Sequence, residues 1–322
     1  MSKLFEKIIL CRIKQLILNV IPDTQFGFIP ERNSTLQLLR VTEEITKAFQ
    51  HRYYTTMLLL DVEKVYDTVW HPGLIYKLYQ AGIDPSLVRL IASFLTNRSF
   101  QVKYQNSLSS IKESKAGVPQ GSILSPFLYN LYNADIPTSA NIKIYQYADD
   151  TAFTSASQTP DFSINKLQHY LPTLELWLQK WKIKLNVAKS QATIFTKCYS
   201  RPHTNITLLQ TPIPWTSTVK YLGVTLDCRL TWLPHINTKI KKGYRRLHLL
   251  YPLIKSSALN YKGKVNIYRT LILSAIVYAA PAWAFIPKTT MKNSKSFKIK
   301  YYVLFMAVAG IHEQFNYMTT WY

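Results

Sequence analysis

The chain has 322 residues, 48% hydrophobic and 13% aromatic, enough for one large core or two modest ones, which excludes a disordered protein. Its formal net charge is +22, from 39 Lys and Arg against 17 Asp and Glu, and nucleic acid is the polyanionic partner that such a balance fits best. Cys11, Cys198 and Cys228 are scattered without a CxxC pair, which supports neither a disulfide framework nor a zinc knuckle and suits an intracellular protein.

In chain order, the first segment carries charges throughout and so lacks the apolar stretch of a signal peptide. Phe5, Ile8, Ile9, Ile13, Leu16, Ile17 and Val20 fall at helical spacing, which predicts an amphipathic packing helix. A helix is expected over 36–49 and a β-rich apolar run over Tyr54–Leu60, ending at Asp61. Two short helices are expected within 72–98. Phe100–Tyr104 and Ser109–Ala116 read as a hairpin across the polar Gln105–Leu108 turn. Residues 122–133 suit a helix after a Gly-rich loop. Ile142–Tyr147 and Thr151–Ser155 read as strands separated by Ala148, Asp149 and Asp150. Leu167, Tyr170, Leu171, Leu174, Trp177, Leu178 and Trp181 share one helical face, with Pro172 as a kink point. Ala192–Thr196 and Val219–Leu226 are further strand candidates. Beyond Trp232 the pattern turns helical and basic, and from Cys228 to His312 there are 15 Lys or Arg and no Asp or Glu. The uncharged run 271–286 is shorter than the roughly 20 residues a membrane span needs and is interrupted by Pro281, so a buried helix is expected there.

The carboxylates carry the chemical signal. Asp149 and Asp150 are adjacent at a tight turn between apolar strands, where they repel and gain nothing from folding; the alternative is an ordinary turn, where Asp is common. A divalent cation removes that objection, since Mg²⁺ takes oxygen ligands. Asp61 ends a run apolar enough for a central strand and can project into a cleft at the sheet edge; the alternative for it is a helix N-cap. Two such strands in one sheet would place Asp61 and Asp149 around two metal ions, the arrangement of two-metal nucleotidyl transfer.

These residues resemble a known family. Leu60-Asp61-Val62-Glu63-Lys64-Val65-Tyr66-Asp67 through His71 resembles motif A of non-LTR (LINE-like, jockey-type) retrotransposon reverse transcriptases. Gly117-Val118-Pro119-Gln120-Gly121 through Pro126 resembles motif B, and Tyr147-Ala148-Asp149-Asp150 resembles motif C. Leu185–Ser190 resembles motif D, Tyr221–Asp227 the strand motif after it, and Gln25–Thr35 the fingers motif.

The resemblance implies a mixed α/β (α+β) right-hand polymerase. Residues 1–50 would be residual fingers, 51–228 a palm of antiparallel sheet plus helices with a fingers-like insertion about 72–116, and 229–322 an α-helical basic thumb with a degenerate end. It implies an RNA-directed DNA polymerase that uses Mg²⁺, with Mn²⁺ as substitute. Its partners would be an RNA template, a DNA primer or RNA–DNA hybrid, and dNTPs, with no membrane involved. Asp61, Asp149 and Asp150 would be the catalytic metal-binding carboxylates. Lys189 would be a general acid toward pyrophosphate, with a solvated surface lysine as the alternative. Arg32 would pair with the triphosphate, Tyr66 would exclude a 2′-hydroxyl or else be a core aromatic, and Gln120 and Gly121 would contact nucleotide and template. Tyr221, Leu222 and Gly223 would form a primer grip. Val65 replaces the family's Ala, and Ile29 and Glu31 depart from its Arg-Pro-Gly-Arg pattern. The endonuclease and upstream fingers regions of the family are missing from the match, which leaves an N-terminally truncated, catalytically inactive relic that binds nucleic acid as the alternative function.

Overall fold

The computed structural model describes residues 2–198 and 204–283, and these form two compact units that divide between Leu222 and Gly223. The expected end of the chain beyond residue 283 lies outside the described residues.

The first unit opens with α1 (Ser2–Val20), a helix as its spacing predicts, but its buried stripe is narrower than expected: Ile9, Ile13 and Ile17 are buried together with Leu10, whereas Phe5, Ile8, Leu16 and Val20 are exposed. Helix α2 (Ser34–Gln50) starts where the Asn33 side chain accepts the Leu36 N–H at 2.9 Å, satisfying a donor the helix leaves free. Strand β1 (Tyr54–Leu60) follows, then α3 (His71–Gln80) and α4 (Pro85–Leu95). Four short strands come next: β2 (Arg98–Phe100), β3 (Lys103–Tyr104), β4 (Ser107–Leu108) and β5 (Lys112–Ser114). Helix α5 (Ser125–Tyr132) precedes β6 (Lys143–Tyr147) and β7 (Asp150–Ser157). The unit ends with α6 (Pro160–Lys180), β8 (Gln191–Phe195), β9 (Thr207–Leu208), β10 (Thr211–Pro212) and β11 (Thr218–Tyr221).

Strands β6, β7, β1 and β8 form one antiparallel sheet in that order. The interior place of β1 explains its apolar run, because Met57 and Leu58 are fully buried. Helix α6 runs on through Pro172 and contributes Leu167, Leu171 and Leu174 to a core shared with Leu58, Phe153 and Ala192. A second core gathers Ile13, Ile17, Leu74, Leu78, Ile91 and Leu128 from α1 and the helices α3 to α5. At about 1.5–3 kcal/mol per fully buried aliphatic side chain, these two cores hold the unit together.

Lys77 of α3 sits in that second core at 4% exposure. Its ammonium lies 2.6 Å from Asp135, also donates to the Tyr132 carbonyl, and stands 3.7 Å from the centre of the Trp181 ring. Burial nevertheless lowers its pKa from the ordinary 10.5 to about 8, with Asp135 pulling the other way. The folded state therefore holds this proton less tightly than the unfolded chain does. The charged form weakens the fold below pH 8, and that cost fades as pH rises toward the unfolded value. We predict that urea unfolding of the wild type gains up to about 3 kcal/mol across this window, whereas Lys77→Met shows no such gain. Equal slopes in both proteins would rule out Lys77 as the source.

The second unit holds β12 (Val224–Asp227), α7 (Leu233–Lys255) and α8 (Tyr261–Ile267), then a π-helical turn over Tyr268–Leu273 and short helical turns to Trp283. Asp227 is buried, and its carboxylate accepts from the Thr231 N–H and hydroxyl at 3.0 Å and from the Trp232 N–H at 2.9 Å. Those bonds hold Trp232 at φ 65, the left-handed turn that launches α7. Within the described part of this unit Asp227 is the one carboxylate against ten Lys and Arg. His235 is buried with its Nδ1 accepting the Thr225 N–H, and burial, with Lys239 adding to it, pushes its pKa down to about 4.

Three expectations change in detail. The hairpin after α4 turns tightly at Gln105 and Asn106, so Leu108 belongs to a strand. The run Val219–Leu226 is broken at Leu222 and Gly223, both with positive φ, into β11 and β12. The apolar run from 271 is broken as well: Tyr278 takes ψ 128 and Ala279 φ 55, so its described part is no continuous helix. No helix among the described residues is long and apolar enough to cross a membrane.

Candidate active site

The site is built on one end of the four-stranded sheet. Leu60 at the end of β1 pairs with Thr151, so Asp61 and Asp150 stand one rung farther, next to each other. Tyr147 pairs with Asp150, leaving Ala148 and Asp149 as the two turn residues. Ala148 takes φ 56, a conformation that costs a residue with a Cβ about 1–2 kcal/mol.

A distant residue compensates for that cost. Gln25 is 1% exposed, and its Oε1 accepts both the Gly27 N–H at 2.8 Å and the Ala148 N–H at 2.9 Å. Its Nε2 donates to the Ala148 carbonyl at 3.4 Å. One side-chain amide thus satisfies both backbone groups of the strained turn residue, each bond worth about 1 kcal/mol. The Phe26 N–H donates to the Gln146 carbonyl at 2.9 Å and the Gln146 N–H to the Thr24 carbonyl at 3.1 Å, so segment 24–27 is strapped along β6 into the turn. The strap fits only because residue 27 is glycine: a Cβ there would lie 2.2 Å from the Ala148 nitrogen. Asn130 of α5 donates to the Gly27 carbonyl at 2.7 Å and fixes the strap from another side.

Asp61 is held with similar economy. The Asn186 N–H donates to its carbonyl at 2.8 Å, and its own N–H donates to the buried Ser190 hydroxyl at 3.2 Å. The backbone is fixed, so the carboxylate alone is left to act. Lys189 belongs to the same loop but is exposed, its N–H donating to Asn186.

The segment after Asp61 is pinned to the Gly117–Gly121 loop. The Gly117 N–H donates to the Val69 carbonyl at 2.8 Å, the Val118 N–H to the Tyr66 carbonyl at 2.6 Å, and the His71 ring bonds the Gly117 carbonyl at 2.8 Å. Gly117 has φ 91, and a Cβ there would lie 2.7 Å from Asp67 Cα, so both conformation and space demand glycine. Gln120 donates to Asp67 Oδ1 at 3.1 Å, and Gly121, with φ 84, faces open space. From α1, the buried Glu6 accepts the Ser122 hydroxyl at 2.6 Å and the Ile123 N–H at 2.8 Å, anchoring the far end of this loop. Those hydrogen bonds outweigh the desolvation of its carboxyl and lower its pKa.

Tyr66 is half-buried with its ring centre 5.4 Å from that of Tyr129. Burial raises both hydroxyl pKa values, and the Asp149 charge adds to the rise in each, so both rings lie within its field. The Asp150 pKa is raised too, first by burial and then by Asp149 and Asp61. None of the ion pairs among the described residues involves Asp61, Asp149 or Asp150. They stand at one sheet edge, where Lys220 offsets part of the charge on Asp150 without forming an ion pair, and an all-oxygen donor set of this kind fits a hard divalent cation. Their side chains are not drawn together as a finished cluster of ligands, for no group of three His, Cys, Asp or Glu converges that closely among the described residues.

The other residues of interest have partners of their own, although Tyr221 lies within the field of Asp150. Arg32 spends its guanidinium on the Asp23 carboxylate at 2.7 Å and the Gln25 carbonyl at 2.7 Å, bracing the strap. Tyr221 is buried, its hydroxyl donating to the Tyr145 carbonyl at 3.1 Å, so its ring belongs to the core. Leu222 and Gly223, with φ 45 and 76, form the bend after it. Gln25 and Ser190 lie inside the motifs quoted above but receive no role there, and Glu6 is missed altogether, because each acts on backbone far along the chain.

Comparison with known proteins agrees with this arrangement. Residues 1–226 match the family model described as reverse transcriptase (RNA-dependent DNA polymerase). The chain is 32% identical over 301 residues to a probable RNA-directed DNA polymerase from transposon BS of Drosophila melanogaster, covering 90% of this chain and 33% of that protein. It is 32% identical over 312 residues to an RNA-directed DNA polymerase from the mobile element jockey of Drosophila funebris, covering 93% of this chain and 34% of that protein. The chain thus spans about a third of the length of these curated relatives. Among solved structures it is similar to telomerase from Candida tropicalis in complex with the TWJ fragment of telomeric RNA. The TM-score is 0.50 at 12% identity, over 94% of this chain and 51% of that one, a likeness of right-hand polymerase fold.

Proposed function

The chain belongs to the reverse transcriptase family, and from that premise we propose that it is the polymerase portion of a non-LTR retrotransposon protein, extending a primer 3′-hydroxyl with dNTPs on an RNA template. The observation that carries this reading is the set of three unpaired carboxylates, Asp61, Asp149 and Asp150, at one sheet edge within reach of a half-buried tyrosine. Those carboxylates would hold divalent cations, Mg²⁺ by the hardness of the donors, and the bound charge would offset that developing on the phosphates. The Ser190 and Asn186 contacts to Asp61 and the Gln25 contacts to Ala148 keep the two carboxylate-bearing turns where positioning can act. Gln120 and Gly121 lie on the loop that would face the nucleotide, Lys189 on the loop that clasps Asp61, and Leu222 and Gly223 on the bend that would meet the primer. Arg32 would reach a triphosphate only after giving up Asp23. We assign residues 1–50 to fingers, 51–228 to palm and 229–322 to thumb, whose cations would hold phosphates.

The test is extension of oligo(dT) on poly(rA) with dTTP and Mg²⁺, then with Mn²⁺, and with a chelator as control. Metal-dependent extension is the expected result. A folded chain that binds the hybrid and never extends it would overturn the reading in favour of a nucleic-acid-binding relic.

Sugar selectivity gives a sharper check. The Tyr66 ring, backed by Tyr129, would leave no room for a 2′-hydroxyl. Tyr66→Ala is predicted to raise the ratio of rNTP to dNTP incorporation about tenfold or more, worth roughly 1.4 kcal/mol of discrimination. An active variant with unchanged selectivity would mean that another group guards the sugar.

A further inference from the structure

Every residue from Ser99 to Glu113 is exposed, so this β-arm has no core of its own. It nevertheless carries Phe100, Val102, Tyr104, Leu108 and Ile111, between 55% and 73% exposed. A lone two-stranded hairpin is marginal in water, and an apolar surface of this extent marks a place where something binds. The charge says what kind of partner. Arg98, Lys103, Lys112 and Lys115 face a single acidic residue, Glu113, in this segment. The rungs combine the two chemistries, because Phe100 pairs across from Lys112 and Lys103 across from Leu108. A second copy of the arm would bring like charges together, whereas a polyanion with accessible flat faces satisfies both features.

We propose that this arm is a binding platform for single-stranded nucleic acid, with Phe100 and Tyr104 stacking on unpaired bases and Lys103 and Lys112 meeting the phosphates. Single strands are favoured over duplex because only unpaired bases offer their faces. The return strand leads through Lys115 into the Gly117–Gly121 loop, so a strand held on the arm is delivered toward Gln120. The inference rests on the polymerase reading for why a single strand is at hand, but the site stands on its own residues.

The experiment uses the full chain with a single-stranded 20-mer carrying 5-iodouracil, irradiated and mapped by peptide mass. In parallel, fluorescence anisotropy compares wild type with the double variant Phe100→Ala, Tyr104→Ala on the same strand and on its blunt duplex. Adducts on Phe100 or Tyr104 are expected, with about tenfold or greater loss of single-strand affinity in the variant and duplex affinity unchanged. Both side chains are exposed, so the variant should keep the wild-type circular dichroism and melting temperature. Adducts only on the basic helices of the second unit, or unchanged single-strand affinity, would overturn the proposal. So would a variant that changes only self-association, since that would make the arm a protein interface. Primer extension separates the two readings. A chain that extends primers but never crosslinks through the arm defeats the arm alone, and one that crosslinks there without extending leaves the arm standing and defeats the polymerase reading.

Discussion

Asp149→Ala is expected to abolish metal-dependent primer extension, by on the order of 10³-fold or more, while the protein stays folded. A bound cation is worth several kcal/mol of charge stabilisation at a transferring phosphoryl group, and removing a carboxylate that holds it forfeits that amount. The fold loses nothing comparable. Asp149 lies in a two-residue turn, makes no ion pair among those of the described residues, and weakens the ionisation of Asp150 beside it. Without metal the variant should therefore melt no lower than the wild type, because a like charge has been removed. With Mg²⁺ or Mn²⁺ the wild type should gain melting temperature and the variant should not. Retained extension in the variant would remove Asp149 from the chemistry altogether.

Gly27→Ala should be the most damaging change of a single methyl group. The added Cβ would meet the Ala148 nitrogen at 2.2 Å, its Cα at 2.9 Å and its Cβ at 3.0 Å, and two of those atoms are backbone that cannot rotate away. Either the strap lifts from the turn or the turn moves, and both break the Gln25 pairing that supports Ala148 at positive φ. A loss of about 2–4 kcal/mol in stability is expected, together with at least a hundredfold loss of extension. Gly82→Ala is the control, since nothing lies within 4 Å of a Cβ there and only its φ of 74 is strained. That variant should lose about 1–2 kcal/mol and keep its extension rate. Equal damage from both would show that glycine matters at position 27 for flexibility and not for space.

What the sequence made legible and what it hid divide along physical lines. Strand β1 was readable to its last residue because an interior strand must be apolar on both faces and the charge of Asp61 ends the run. The turn at Asp149 and Asp150 was readable because two carboxylates between apolar strands have no structural reason to be there. Glu6 was not, because one carboxylate in an amphipathic helix looks like any solvent-facing charge until the Ser122 hydroxyl and Ile123 N–H are seen around it. Leu222 hid the end of β11, since a leucine at φ 45 leaves no local mark and Gly223 passed for a strand interior. The apolar run from 271 shows the same limit: hydropathy reports burial, and nothing in it announces the bend at Tyr278.

The clamp between Gln25 and Ala148 also has a meaning for the order of events during folding. Its partners are 123 residues apart, so the clamp closes only after a long stretch of chain has been ordered. The hydrogen bonds of β1, β7 and β8 and the packing of α6 can form without it. We expect refolding molecules to regain their helical and sheet signal before the Ala148–Asp149 turn is set, and mild denaturant to release that turn first. A chain in that condition would look folded to most probes and be unable to bind metal tightly, so the recovery of metal binding would time the last step of its assembly.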